Sequence, residues 1–123
     1  MRPLLLCIHM NREKVMRLGF LALSLGADVR PVAEEEQGQT LAALCGLEEK
    51  AARCPAAQVG EELLVMASFP DALLDRLLPA LRAAGLTVRL KAVLTPVNRD
   101  WNCGRLYAEL RGEASAFEKG NKK

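Results

Sequence analysis

The chain has 123 residues, half of them apolar and 26% charged, with three Phe, one Trp and one Tyr. That apolar share excludes a disordered chain, and the length suits one domain over residues 1–123 that buries about two thirds of its unfolded surface. Seventeen basic against fifteen acidic residues leave a net charge of +2, too weak a basic excess, with too few rings, to suggest nucleic-acid binding.

The first apolar run, Leu4 to Ile8, is too short for a signal peptide or a membrane span. The expectation is a soluble, cytoplasmic protein that does not engage a membrane. Cys7, Cys45, Cys54 and Cys103 contain no Cys-x-x-Cys pair, and His9 is the one histidine. A structural zinc site needs closely spaced ligand pairs, so reduced thiols and no metal are expected. No phosphate loop, dinucleotide loop or nucleophile elbow is present, and no cofactor is expected.

In chain order, residues 3–9 read as a buried strand. Asn11 is placed to cap a helix whose face is Val15, Leu18, Leu21, Ala22 and Leu25, ended by Gly26. Residues 27–33 read as a second strand, and Glu34-Glu35-Glu36 as a solvated acidic turn. Thr40 is placed to cap a short helix over 41–47. The plan then repeats. Residues 62–68 read as a strand, and Pro70-Asp71 as the start of a helix carrying Leu73, Leu74, Leu77, Leu78 and Leu81. Pro79 should kink that helix, Gly85 should end it, and a strand over 87–94 follows. Asn102 is placed to cap a last helix running toward Phe117.

Leu4, Arg17, Gly26 and Val29 recur as Leu63, Arg76, Gly85 and Val88, each 59 residues on. The chain therefore reads as an internal repeat of 1–59 and 60–118, each βαβα, followed by a flexible tail at 119–123. Acids and bases balance in the first copy, so the net charge belongs to the second.

The apolar runs 3–9 and 62–68 suit central strands, and the charged strands suit edges. The fold class is α/β (α+β), a single domain with one four-stranded sheet. A ferredoxin-like split βαβ with two extra helices, strand order 4-1-3-2, is favoured; the alternative is a small doubly wound parallel sheet, order 2-1-3-4. The connection over 34–62 decides between them. A single helix there implies parallel strands, whereas a helix plus a returning loop allows an antiparallel pair. Central strands apolar on both faces need cover on both sides. Should the short helices leave one face bare, a homodimer would supply it.

The stretch from Leu90 to Asn102 carries the main site candidate. Its strand ends at Thr95-Pro96, and its loop leads into a helix start, where free amides carry partial positive charge. Lys91 and Arg99 add charge, Thr95, Asn98 and Asn102 add hydrogen-bonding groups, and Trp101 adds a flat wall. Such a corner could hold a small anion or a partner's carboxylate. The same residues could simply tie the turn, plug the sheet edge and cap the helix.

The run Leu-Lys-Ala-Val-Leu-Thr-Pro over 90–96, then Asn98, Trp101 and the capping Asn102, resembles a bacterial domain-of-unknown-function family, number 3783. The resemblance covers residues 60–112 well and the first half loosely. Members often have an acid three residues after the cap. Here Arg105 stands there, so the reciprocal capping box is lost. The resemblance implies a bacterial cytoplasmic protein and imports no activity.

Three functions follow for testing. The first is a non-enzymatic binding or regulatory module contacting an anionic metabolite or a protein. The second is an enzyme pairing Cys7 or Cys103 with His9. The third and weakest is an RNA-binding sheet, whose central strands lack the aromatics that stack bases.

Overall fold

In a computed structural model, residues 1–121 are described, with side chains described for residues 1–112. β1 is Leu4–Ile8, five buried residues. Asn11 caps α1 (Arg12–Leu25), its Oδ1 accepting from the Lys14 amide at 2.8 Å. Gly26 ends the helix at φ 71°, a conformation that suits a residue without Cβ. Two residues later β2 begins (Asp28–Val32), parallel to β1 with Leu4 opposite Asp28.

β3 (Leu63–Ala67) and α3 (Asp71–Ala83) repeat this plan. Leu77 and Leu81 are buried on α3, each contributing about 2–3 kcal/mol. Leu78, expected on the same face, is 37% exposed. α3 runs unbroken past Pro79, which lies on the exposed side, where water can take up the carbonyl that the ring orphans.

The repeat breaks after Gly85. The sequence offset would set Thr87 opposite Leu63, but Leu90 stands there, so β4 spans only Leu90–Val93. Val88, the counterpart of a strand residue in the first copy, is instead 1% exposed in the core beneath α1 and α3. Burying that valine uses residues that would otherwise have extended the strand.

The sheet order is β2-β1-β3-β4, with β1–β2 and β3–β4 parallel and β1–β3 antiparallel. The two central and two edge strands are as expected, within one mixed α/β domain. The favoured 4-1-3-2 order is not adopted. Neither is the alternative complete, since its 2-1-3-4 order forms with an antiparallel centre. The reason lies in the connections. Each short Gly turn sets the second strand of a unit directly beside the first, leaving no gap for a split unit. The long connection places Leu63 opposite Ile8, at the end of the sheet where β2 also finishes, so it crosses no strand.

That connection holds a single 3-10 turn (Glu34–Glu36) and α2 (Leu41–Leu44), shorter than the expected 41–47. α2 stops because Gly46 turns left-handed at φ 82°. Thr40 caps it as expected, accepting from the Ala43 amide at 3.1 Å. The last helix, α4, spans Cys103–Asn121; the tail expected at 119–123 extends beyond the described residues.

Alternate strand residues feed two cores. Leu5, Cys7, Leu64 and Met66 pack with Leu18 and Ala22 of α1 and with Leu77 and Leu81 of α3. Leu4, Leu6, Ile8, Leu63 and Val65 pack with Leu41 and Leu44 of α2 and with Cys103 and Leu106 of α4. Both sheet faces are thus covered within one chain, so no bare face calls for a second copy.

Candidate functional site

The Leu90–Asn102 corner is a junction. After β4 the Asn98 side chain, 8% exposed, ties the turn: Oδ1 accepts from the Thr95 amide at 2.8 Å, and Nδ2 donates to the Val93 carbonyl at 2.9 Å. The Asn98 amide in turn donates to Thr95 Oγ1 at 3.1 Å. The carbonyls of Trp101 and Arg99 accept from the Leu41 and Ala42 amides at 2.8 and 2.9 Å. These amides open α2, so the loop of one copy satisfies the helix start of the other. Asn102 caps α4, its Oδ1 accepting from the Arg105 amide at 2.9 Å.

The charges of this corner are engaged too. Arg99 lies 4.0 Å from Glu48, Lys91 donates to the Val88 carbonyl, and Arg105 reaches Glu109 at 3.5 Å. The Arg105 guanidinium sits 4.6 Å from the centre of the Trp101 ring. Lys91, Thr95, Asn98 and Trp101 line one hollow of about 340 Å³. Arg99 lines a neighbouring one with Thr95, and Asn102 lines neither. The structure therefore gathers four of the six candidates and spends the hydrogen bonds of Asn98 and Asn102 on the fold.

A larger cleft, about 850 Å³, opens at the carboxyl ends of β1 and β2. Ligand sites of open α/β sheets commonly lie at such ends, and this volume is within the usual range for small molecules. His9 and Asn11 come from the turn after β1, Glu34 and Gln37 from the 3-10 turn and its end, Gly60 and Glu62 from the approach to β3, and Tyr107 from α4. His9 is exposed and holds a left-handed backbone at φ 55°, uncommon outside glycine. Gly60 makes room for the phenol: a Cβ there would lie 2.7 Å from the Tyr107 hydroxyl.

Gln37 sets this cleft apart. Three polar residues are buried among the described residues: Gln37, Gln39 and Asn98. Asn98 is fully engaged, and Gln39 bonds Ala51 twice, donating to its carbonyl and accepting from its amide, both at 2.8 Å. Gln37 is 4% exposed and gives its backbone carbonyl to the Cys103 amide at 3.0 Å. Its side-chain amide has no hydrogen-bond partner among the described residues. No side-chain N or O there is both sealed from solvent and unbonded, so this amide opens on the cleft it lines.

The cleft's charges nearly balance, with the Arg111 guanidinium 5.4 Å from the centre of the Tyr107 ring. Lys14 neutralises Glu62 at 2.7 Å while donating to the Thr87 carbonyl at 2.8 Å, and Glu34 lies exposed at the rim. The thiols stand apart. Cys7 is 1% exposed against α1 and α3, its pKa pushed up to about 12 by burial and then by the Glu62 charge. Burial pushes Cys103 up to about 12 as well, and it raises Cys45 despite the opposing charge of Arg30. Neither Cys7 nor Cys103 lines the cleft with His9.

His9 was legible in the sequence as a residue at a strand's carboxyl end. Gln37 and Tyr107 were not, because no motif marks a glutamine that burial leaves unpaired or a tyrosine that a distant glycine admits.

Residues 62–117 match the family model described as a domain of unknown function, DUF3783. No curated protein and no solved structure matches. The matched segment carries Glu62 and Tyr107 of the cleft, whereas His9 and Gln37 come from the residues before it.

Proposed function

For a chain whose residues 62–117 belong to the DUF3783 family, we propose a non-catalytic binding module that holds a small polar ligand in the cleft between His9, Gln37 and Tyr107. One observation carries this reading: the Gln37 amide is buried, unpartnered among the described residues and open to the cleft. Its N and O reach solvent only through the cleft, so a ligand that replaces that water with direct bonds gains about 1 kcal/mol per bond. The near balance of charge favours a neutral ligand over the anionic metabolite expected at the Lys91–Asn102 corner. Catalysis by a thiol is disfavoured, since Cys7 and Cys103 are buried and protonated. The reading places the protein in the cytoplasm, which four free cysteines support.

The test is a thermal-shift screen of nucleosides, amino acids, polyamines, carboxylates and phosphates. A compound that raises the Tm of the wild type and not of Gln37→Leu supports the site. A screen without shifts, or with shifts that Gln37→Leu leaves intact, defeats it.

A protein partner is the second reading. Met16, Phe20 and Leu23, 62%, 69% and 71% exposed, form an apolar stripe along α1. Light scattering of the wild type and of Phe20→Glu tests whether that stripe joins two copies. A monomer in both removes the homodimer.

A further inference from the structure

We infer that the ligand of this cleft presents a neutral amide edge, an N–H beside a C=O as in a lactam, an imide or a primary carboxamide. This inference rests on the proposed binding role of the cleft and names the chemistry recognised there.

A glutamine amide offers one acceptor and two donors in one plane. The structure contains its satisfied form two residues away. Gln39 meets the amide and carbonyl of Ala51 with two bonds of 2.8 Å, donor to acceptor and acceptor to donor. Gln37 carries the same group, equally buried, with both ends open. An anion would use only its N–H groups and a cation only its oxygen, leaving the other end to water. A neutral amide edge uses both. Charge agrees with a neutral ligand, because Lys14 neutralises Glu62 and the Arg111 guanidinium over Tyr107 offsets Glu34 at the rim. Tyr107 supplies a flat wall beside this edge, admitted by Gly60. The Arg111 guanidinium lies 5.4 Å from the centre of that ring and Gly60 lies against its hydroxyl end, so a planar ligand meets the ring where it lines the cleft.

The experiment uses the full chain and four probes. Uracil represents the lactam source and nicotinamide the carboxamide source. Nicotinate is the charged near-isostere of nicotinamide, and putrescine a cation without an amide. Binding is read by calorimetry and by the side-chain NH2 resonances of Gln37 in a nitrogen-15 labelled sample. Expected is binding of uracil or nicotinamide that moves those resonances, at least tenfold tighter than nicotinate, and weakened about ten- to hundredfold in Gln37→Leu. Gln37→Glu, which keeps the shape should the leucine fail to fold, loses the same preference because a carboxylate cannot donate. Nicotinate binding as tightly as nicotinamide, or putrescine alone moving the Gln37 resonances, overturns the amide edge and leaves the cleft a binding site. No probe moving those resonances overturns the amide edge, and the wider screen then decides whether the cleft binds anything.

Discussion

Leu6 pairs with Val65, its own counterpart 59 residues on, at the middle of the antiparallel centre of the sheet. The two copies are therefore related by an approximate twofold between these residues, and equivalent groups fall at opposite ends of the sheet. His9 and Ser68, also 59 apart, share left-handed backbones at φ 55° and 60°. Only the His9 end lines the large cleft.

The same backbone strain thus serves a cleft in one copy and none of the described cavities in the other. Ser68→Gly is expected to raise stability by about 1 kcal/mol by removing a Cβ from a left-handed position. Urea unfolding midpoints measure it. A lower midpoint would show that Ser68 is held there by contacts worth more than its strain.

Asn98→Ala is expected to cost about 2 kcal/mol, since it removes both bonds by which the buried Asn98 side chain ties the Thr95 amide and the Val93 carbonyl. Asn102→Ala removes one cap bond at the edge of solvent and should cost about 1 kcal/mol. Guanidinium unfolding of both variants ranks them. The reverse order would return Asn98 to the candidate ligand groups.

Gly38→Ala should distort the connection, not the sheet. Its Cβ would lie 1.8 Å from the Pro55 carbonyl oxygen and 3.1 Å from Cys54 Sγ, and backbone cannot yield as a side chain does. A loss of about 1–3 kcal/mol is expected, with faster reaction of Cys54 with a thiol reagent. An unchanged Cys54 rate would mean that the segment stays in place.

Alkaline pH should weaken the fold through its thiols. Cys7 and Cys103 ionise near 12 in the folded protein, against an ordinary value of 9.0. A raised folded pKa gives stability that is full below pH 9 and falls as pH rises from 9 toward 12, where only the unfolded state ionises. Each thiol contributes a slope of up to about 1.4 kcal/mol per pH unit. Urea unfolding at pH 8, 9 and 10 should show a shallower decline for Cys7→Ala than for the wild type. Equal slopes would mean that Cys7 ionises as readily folded as unfolded.

Much of the fold was legible in the sequence because it rests on local chemistry. Unbroken apolar runs marked β1 and β3, helical spacing marked α1 and α3, and Asn11, Thr40 and Asn102 were readable as caps. Which strands are central was legible as well. The candidate corner was legible as a cluster of side chains, but not as a junction, because its partners, the Leu41 and Ala42 amides, are about 60 residues away in the chain.

By itself the sequence determined the main elements and the need to cover both faces of a doubly apolar sheet, properties of neighbours along the chain. Only the tertiary structure decided the direction of β3, the later register of β4 and the cleft. Direction follows from where a 30-residue connection lets the chain re-enter the sheet. Register follows from whether Val88 lies in the strand or in the core. The cleft exists because those choices bring His9, Gln37 and Tyr107 together and leave one buried amide without a partner among the described residues.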